Sequence, residues 1–202
     1  MQKSWYFVRH GETDYNKRGI VQGSGVDSSL NDTGRQQAKA FYEKYKAISF
    51  NKIICSKLKR TKETVSHFID AGIPWEQTAS INEMNWGIHE GEKSQPWMIE
   101  NYKNMIKAWG EGDLDARVEK GESAKELIER CKYFLKELKN TEEQQILICA
   151  HGRSLRCLLM LLKNQSVAEM ELYRPGNTAV YKYTIAGDEV QVDFENNLQH
   201  LQ

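Results

Sequence analysis

The run Ile146-Leu147-Ile148-Cys149-Ala150 constrains this chain more than any other segment. Five apolar residues without a polar interruption do not suit a strand with one wet face. They suit a strand buried on both faces, inside a sheet covered by helices. Helical patterns stand on either side of this run. Upstream, Ala124, Leu127, Ile128, Cys131, Phe134, Leu135 and Leu138 mark one helix face, opened by the capping box of Ser123 and Glu126. Downstream, a helix is expected from about Ser154. The alternation continues elsewhere. Residues 5–8 read as a strand. Thr33 with Gln36 reads as the cap of a helix carrying Ala38, Phe41, Tyr42, Tyr45 and Ile48. Residues 52–55 read as a second strand, followed by a helix from about Leu58 that stops near Gly72, with Pro74 just beyond. Ser166 and Glu169 suggest a short further helix, and residues 179–184 and 189–194 two strands about a turn at Gly187-Asp188. The expected fold is α/β: a three-layer sandwich with a mostly parallel central sheet and helices on both faces.

The length of 202 residues suits one domain, residues 1–202. Within it, residues 84–122 are expected to form a cap segment over the active site. A helix from Ser94 to Trp109, with Pro96 in its first turn, accounts for most of that segment's Trp and Met residues as core. Lys+Arg and Asp+Glu both number 28, so the net charge is zero. A binder that works by neutralising phosphates of a nucleic acid carries a basic excess, and none is present overall. The richest apolar stretch, residues 155–162, is short and contains Arg156, which excludes a membrane span. The N-terminal residues lack the apolar core and cleavage site of a signal peptide. The four cysteines, at 55, 131, 149 and 157, form no CxxC pair and sit in apolar runs, so they read as reduced core residues of a cytoplasmic protein. The five histidines show no zinc spacing, and no metal site is expected. Asn31-Asp32-Thr33 and Asn164-Gln165-Ser166 match the glycosylation triplet but read as helix caps.

In open parallel sheets ligands bind beyond the carboxyl ends of the strands. Arg9-His10-Gly11-Glu12-Thr13 follow the first strand, Ser56 and Arg60 the second, and His151-Gly152 the buried run. Two histidines and two arginines are therefore gathered at one sheet edge. Converging guanidinium groups suit phosphate or carboxylate oxygens. A neutral imidazole is a competent nucleophile toward phosphorus, and arginines stabilise the transferring group without a metal. A leaving alkoxide needs a proton from a carboxylic acid. Glu83, just after an apolar stretch ending at Ile81, is the first candidate, with Glu90 and Glu12 as rivals. The competing accounts are structural: a strand-end histidine for His10, a solvated helix charge for Arg60 among Lys57, Lys59 and Lys62, and a neighbour of a helix cap for His151. Clustering of titratable groups at one edge favours function.

Arg9-His10-Gly11-Glu12-Thr13 with Asn16 resembles the signature of the histidine phosphatase superfamily, which includes the phosphoglycerate mutases. Gln22-Gly23 with Asp27, Leu30 and Gly34, then Ser56 to Thr61 with Thr64, then Glu83, Gly87, Glu90 and Gly91, then Ala150-His151-Gly152, then Gly176-Asn177-Thr178 resemble its later segments in order, over about residues 4–184. The resemblance implies that His10 is phosphorylated, that Arg9, Arg60 and His151 hold the phosphoryl group, and that Glu83 protonates the leaving group and then activates water. It implies phosphate or substrate binding by Gly11, Asn16, Gln22, Gly23, Gly152 and Asn177. Tyr15, Trp86 and His89 are candidates for the substrate mouth; His89 stands where relatives often carry a bulky apolar residue, and Ser29 where many carry proline.

The leading expectation is an acid-type phosphomonoesterase acting on a small phosphorylated metabolite, with a small-molecule phosphate ester as its partner, no nucleic-acid or membrane partner and no cofactor. The first alternative is a phosphoglycerate mutase primed by 2,3-bisphosphoglycerate, which needs a drier pocket; the chain has little spare length for the insertions and tail that such mutases carry. The second is a catalytically silent phosphate-binding module. The sequence is compatible with a homo-oligomer as well as a monomer.

Overall fold

The computed structural model describes residues 2–202. In chain order the regular elements are β1 (Gln2–Arg9), α1 (Asp14–Arg18), α2 (Asp32–Tyr45), β2 (Lys52–Ser56), α3 (Lys59–Asp70), β3 (Trp75–Thr78), α4 (Pro96–Gly110), α5 (Ala124–Asn140), β4 (Gln145–Ala150), α6 (Gly152–Leu162), β5 (Val180–Ala186) and β6 (Glu189–Asn197). The sheet runs β3-β2-β4-β1-β5-β6. β4 lies between β1 and β2 and pairs with both in parallel, Ile148 opposite Phe7 on one side and Ile54 on the other. β3 extends the parallel part, while β5 and β6 add an antiparallel edge.

The alternation of side chains along each strand explains why the apolar runs are continuous. Trp5, Phe7, Ile54, Ile146, Ile148 and Ala150 enter one core with α5 and α6. Tyr6, Val8, Ile53, Cys55, Leu147 and Cys149 enter a second core with α2 and α3. Both faces of the inner strands are covered, giving the three layers expected. All four cysteines are free and buried.

Local details depart from expectation in four places. α2 is capped by Asn31 rather than Thr33, because the Asn31 Oδ1 accepts from Gly34 N at 2.8 Å while its Nδ2 donates to Glu12. α6 starts at Gly152, two residues before Ser154, so His151 itself occupies the cap position. The segment after Ser166 is a 3₁₀ helix, Val167–Leu172, with Glu169 accepting from Ser166 N at 2.8 Å. β3 carries no apolar alternation that would announce it: Trp75, Glu76 and Gln77 are exposed. In the segment 84–122, Met98, Met105 and Trp109 are buried as expected of core residues, whereas Trp97 is 47% exposed.

The Ser123–Glu126 box that opens α5 forms on both sides, with Ser123 Oγ accepting from Glu126 N at 3.3 Å and Glu126 accepting from Ser123 N at 2.8 Å. Replacing Ser123 by Ala removes one half. Urea unfolding is expected to show a loss of about 1 kcal/mol, the usual worth of a cap.

Candidate active site

Three parallel strands end side by side at the edge that holds the predicted residues. β1 delivers Arg9 and then His10, β2 delivers Ser56 and the start of α3 with Arg60, and β4 delivers His151 and the start of α6. His10 and His151 have ring centroids 5.1 Å apart.

The His10 Nδ1 lies 2.7 Å from the carbonyl oxygen of Gly11. A carbonyl only accepts, so Nδ1 carries the proton and Nε2 keeps its lone pair. This is the tautomer a nitrogen nucleophile requires. Burial, reinforced by Arg60 and then Arg9, holds the His10 imidazole well below the usual histidine range, so it stays neutral. Gly11 is held in turn. Its N–H donates to Thr64 Oγ1 at 2.9 Å, so that N–H is not free for a phosphate oxygen, as its expected role requires. A Cβ at Gly11 would stand 2.8 Å from the carbonyl oxygen of Gly34, so only glycine allows α2 to approach this closely.

Arg60 is fully buried. Its Nε donates to His151 Nδ1 at 3.1 Å, and its terminal nitrogens donate to the carbonyls of Val26 at 2.7 Å and Gly23 at 3.2 Å. Burial lowers it to about 10, opposed by Glu83, Asp27 and Glu90, which leaves it charged at neutral pH. Arg9 donates from one terminal nitrogen to the Pro175 carbonyl at 2.9 Å, while its Nε is buried with no partner among the described residues. A buried donor on a cation without an acceptor is costly unless an anion completes it.

His151 is brought to the site but in a different posture from the one expected. Its Nδ1 accepts from Arg60 and its Nε2 donates to Ser56 Oγ at 2.7 Å, so both nitrogens are engaged by the protein. In this arrangement it orients Arg60 rather than offering an N–H to a phosphoryl oxygen. Burial and then Arg60 hold its pKa well below the usual range.

Glu83 is 7% exposed and meets the amino end of α6. It accepts from Arg153 N and Ser154 N at 3.1 Å and from Met84 N at 2.9 Å. A Cβ at Gly152 would lie 3.5 Å from Glu83 Oε2 and 3.8 Å from Arg9 Nε, so carboxylate, arginine and helix end share one small space. The rival carboxylates are engaged elsewhere: Glu12 accepts from Asn31 Nδ2, and Glu90 accepts from Trp86 N at 2.9 Å while packing on Gly23. Asn177 donates to the His10 carbonyl at 3.0 Å and to Asn16 Oδ1 at 3.4 Å. Gln22 Oε1 accepts from Thr13 Oγ1 at 3.2 Å. These residues brace the loop that carries His10.

A cavity of about 470 Å³ beside Glu83 is lined by Ser24, Asn82, Asn85, Lys120 and Glu122 among others. A second, of about 290 Å³, is lined by Val21, Trp86, His89, Met98, Ile99 and Tyr102 with Ser94. Of the residues expected at the mouth, Trp86 and His89 line this second cavity, whereas Tyr15, half-buried on α1, lines neither. Arg153 was not singled out from the sequence. It is buried, ringed by Trp86, Tyr102 and Trp109, and paired with Glu171 and the Tyr102 hydroxyl, and it ties the 84–122 segment to the amino end of α6. A charge immediately after His151-Gly152, in a helix otherwise largely apolar, was the available signal.

An unprotonated imidazole nitrogen beside two arginines, at a strand-end crevice, is built to receive a tetrahedral anion. That is the class the fold and site define: an α/β protein whose strand ends form a site suited to an oxyanion. Comparison with known proteins supplies the family. The chain belongs to the histidine phosphatase superfamily (branch 1), whose model matches residues 5–198. It is 32% identical over 195 residues to the chicken 6-phosphofructo-2-kinase/fructose-2,6-bisphosphatase, covering 95% of this chain and 40% of that protein. The chain thus spans well under half of that relative. The solved alpha-ribazole phosphatase from Shigella flexneri superposes with a TM-score of 0.84 at 25% identity, covering 96% of both chains. A phosphoserine phosphatase from Entamoeba histolytica superposes with a TM-score of 0.83 at 22% identity, over 99% of this chain and 100% of that one, a likeness of fold.

The depressed histidines predict a pH dependence of stability. The unfolded chain takes up protons near the ordinary histidine pKa, about 6.5, while folded His10 and His151 do not. Stability is therefore complete above that value and declines as pH falls below it, by up to about 1.4 kcal/mol per pH unit for each histidine. Urea unfolding between pH 7 and 5 should show this decline, with a shallower slope in His10→Ala.

Proposed function

We propose that the protein is a phosphomonoesterase that hydrolyses a small phosphorylated metabolite through a phosphohistidine at His10. The observation that carries this reading is the His10 tautomer: Nδ1–H is fixed on the Gly11 carbonyl, and Nε2 is left as a lone pair. The reaction has two steps. Nε2 attacks phosphorus, the ester P–O bond breaks, and the leaving oxygen takes a proton from Glu83. Water then gives a proton to the Glu83 carboxylate and attacks the phosphohistidine, the P–N bond breaks, and phosphate leaves. Arg60 and Arg9 balance the charge on the equatorial oxygens. His151 keeps Arg60 in place.

Hydrolysis is favoured over return of the phosphoryl group to a second alcohol because Glu83, the group that would activate water, also lines a cavity beside the site through which water could reach it. The segment 84–122 is assigned as the cap, with Trp86 and His89, which line the smaller cavity, as the candidates for its mouth. The chicken 6-phosphofructo-2-kinase/fructose-2,6-bisphosphatase and the Shigella flexneri alpha-ribazole phosphatase, both similar to this chain, support a small phosphate ester as substrate. The acid-type assignment expected from the sequence stays a proposal; the family match supports a phosphatase of branch 1 of the histidine phosphatase superfamily. The reaction needs no cofactor and no metal, the protein acts in the cytoplasm, and it engages neither nucleic acid nor membrane. No helix among the described residues is long and apolar enough to cross a membrane.

Three measurements test the reading. His10→Ala should abolish phosphate release from p-nitrophenyl phosphate and from every ester the wild type accepts; wild-type rates in that variant would sink the proposal. Glu83→Gln should lower kcat on an alkyl phosphate by about 10²–10⁴-fold, the usual worth of a general acid; on p-nitrophenyl phosphate, whose leaving group needs no proton, the initial burst of p-nitrophenol should survive while steady-state turnover falls, because the phosphohistidine still waits for activated water. EDTA should leave both rates unchanged. A 2,3-bisphosphoglycerate-dependent conversion of 3-phosphoglycerate that outruns phosphate release would instead make the protein a mutase.

A further inference from the structure

The segment Pro175 to Thr178 holds the Arg9–His10 pair at three points. The Pro175 carbonyl accepts from the Arg9 guanidinium at 2.9 Å, Thr178 N donates to the Arg9 carbonyl at 3.0 Å, and Asn177 Nδ2 donates to the His10 carbonyl at 3.0 Å. The position of the nucleophile therefore depends on this short segment. Its backbone is not relaxed. Thr178 has φ of +56°, a left-handed conformation that a β-branched residue rarely adopts and that persists only where neighbours impose it.

A side chain remote in sequence meets this residue. His200, in the 3₁₀ turn Gln199–Leu201, places its Nε2 2.9 Å from Thr178 Oγ1. Thr178 Oγ1 donates its own proton to the Asn177 carbonyl at 2.8 Å, so in this bond it accepts, and His200 is the Nε2–H tautomer. The ring is seated edge-on against Phe41 and Tyr45 of α2, with centroids 5.8 and 6.2 Å away. Its Nδ1 is buried there without a partner among the described residues, and burial, with Lys44 nearby, pushes the imidazole down to about 4, so the ring is neutral and its proton sits on the nitrogen that holds Thr178. Leu198, two residues before His200, reinforces the grip: a Cβ at Gly176 would stand 3.2 Å from Leu198 Cδ1, so Leu198 packs directly on the segment.

We propose that His200 is a positioning residue for the phosphoryl site: through its Nε2–H bond to Thr178 it clamps residues 175–178 and thereby fixes the Arg9–His10 pair. His200 itself touches no substrate. The consequence for turnover rests on the phosphatase reading above; the mechanical coupling does not.

The experiment separates the two. His200→Phe keeps a ring between Phe41 and Tyr45 and deletes the N–H. His200→Gln restores a donor at about the Nε2 position. Two-dimensional NMR of the ligand-free proteins reads the coupling without any reaction. The His10 ring and Asn177 side-chain amide resonances should move in His200→Phe, while α5 resonances stay in place. In kinetics with p-nitrophenyl phosphate, His200→Phe should lower kcat five- to tenfold (about 1–1.4 kcal/mol at 1.4 kcal/mol per decade). KM should stay within twofold and the melting temperature close to wild type, and His200→Gln should recover most of kcat. Unmoved His10 and Asn177 resonances in His200→Phe would overturn the proposal, whether or not any ester is turned over. So would wild-type kcat in that variant, or parallel losses of kcat and melting temperature that Gln does not relieve. Absence of turnover in the wild type, with the resonances moving as stated, would count against the phosphatase reading and leave the clamp standing.

Discussion

The interaction on which the site depends is the burial of Arg60. A guanidinium ion with no solvent exposure is expensive, and the fold has to surround it with acceptors. It does so with the Gly23 and Val26 carbonyls and the His151 ring, and with the charges of Glu83, Asp27 and Glu90. These groups come from distant parts of the chain. The loop after α1, the acid segment and the end of β4 are drawn together around one cation. Burial first, and then this same charge with Arg9, keeps the nearby imidazoles neutral. A single buried arginine thus organises the loops and adds to the burial that keeps the nucleophile neutral. Substituting a lysine would keep the charge and lose the planar fork that reaches three acceptors.

The helices contribute mainly through their starting points. α6 begins directly after His151, and its first N–H groups hold Glu83; α3 begins one residue before Arg60. Because the strands feeding these helices are parallel neighbours, the helix starts fall side by side. That is the geometric content of the strand-end rule. Arg153 extends the arrangement outward. Its backbone donates to Glu83 while its side chain is packed among Trp86, Tyr102 and Trp109, so the acid and the wall of the smaller cavity share a support.

The parts of this site that were legible in the sequence are those that follow from periodicity. Runs apolar on both faces announced β1, β2 and β4, and the residues after them, His10, Arg60 and His151, could then be grouped without any family in view. Glu83 was weaker on residues alone, because it follows a 3₁₀ turn, Ala79–Ile81, rather than a long apolar strand. β3 went unseen because an edge strand with exposed Glu76 and Gln77 has no buried face to produce alternation. The engagement of both His151 nitrogens, the brace from Asn177 and the contact between Thr178 and His200 were unreadable for a different reason. They are single side-chain bonds across long sequence separations, and such bonds leave no periodic trace. The cap of α2 failed on competition: Thr33 and Gln36 fit a capping box, but Asn31 is already tied to Glu12 and reaches Gly34 first.

The two sheet margins bear on how copies of the protein meet one another in a crowded solution. An open sheet edge is a template onto which another chain adds a strand. β3 offers only four residues, with Lys62 held over the ring of exposed Trp75 and Lys52 paired with Glu76 across the edge. β6 is longer, but it is broken in register against β5 and carries Asp193 and Glu195 paired with lysines. A short, charged margin on one side and an irregular, charged one on the other offer poor docking for a foreign strand. The apolar strands at the centre of the sheet are thereby kept out of reach of their counterparts in other molecules, and growth of the sheet into a fibre has no ready starting point.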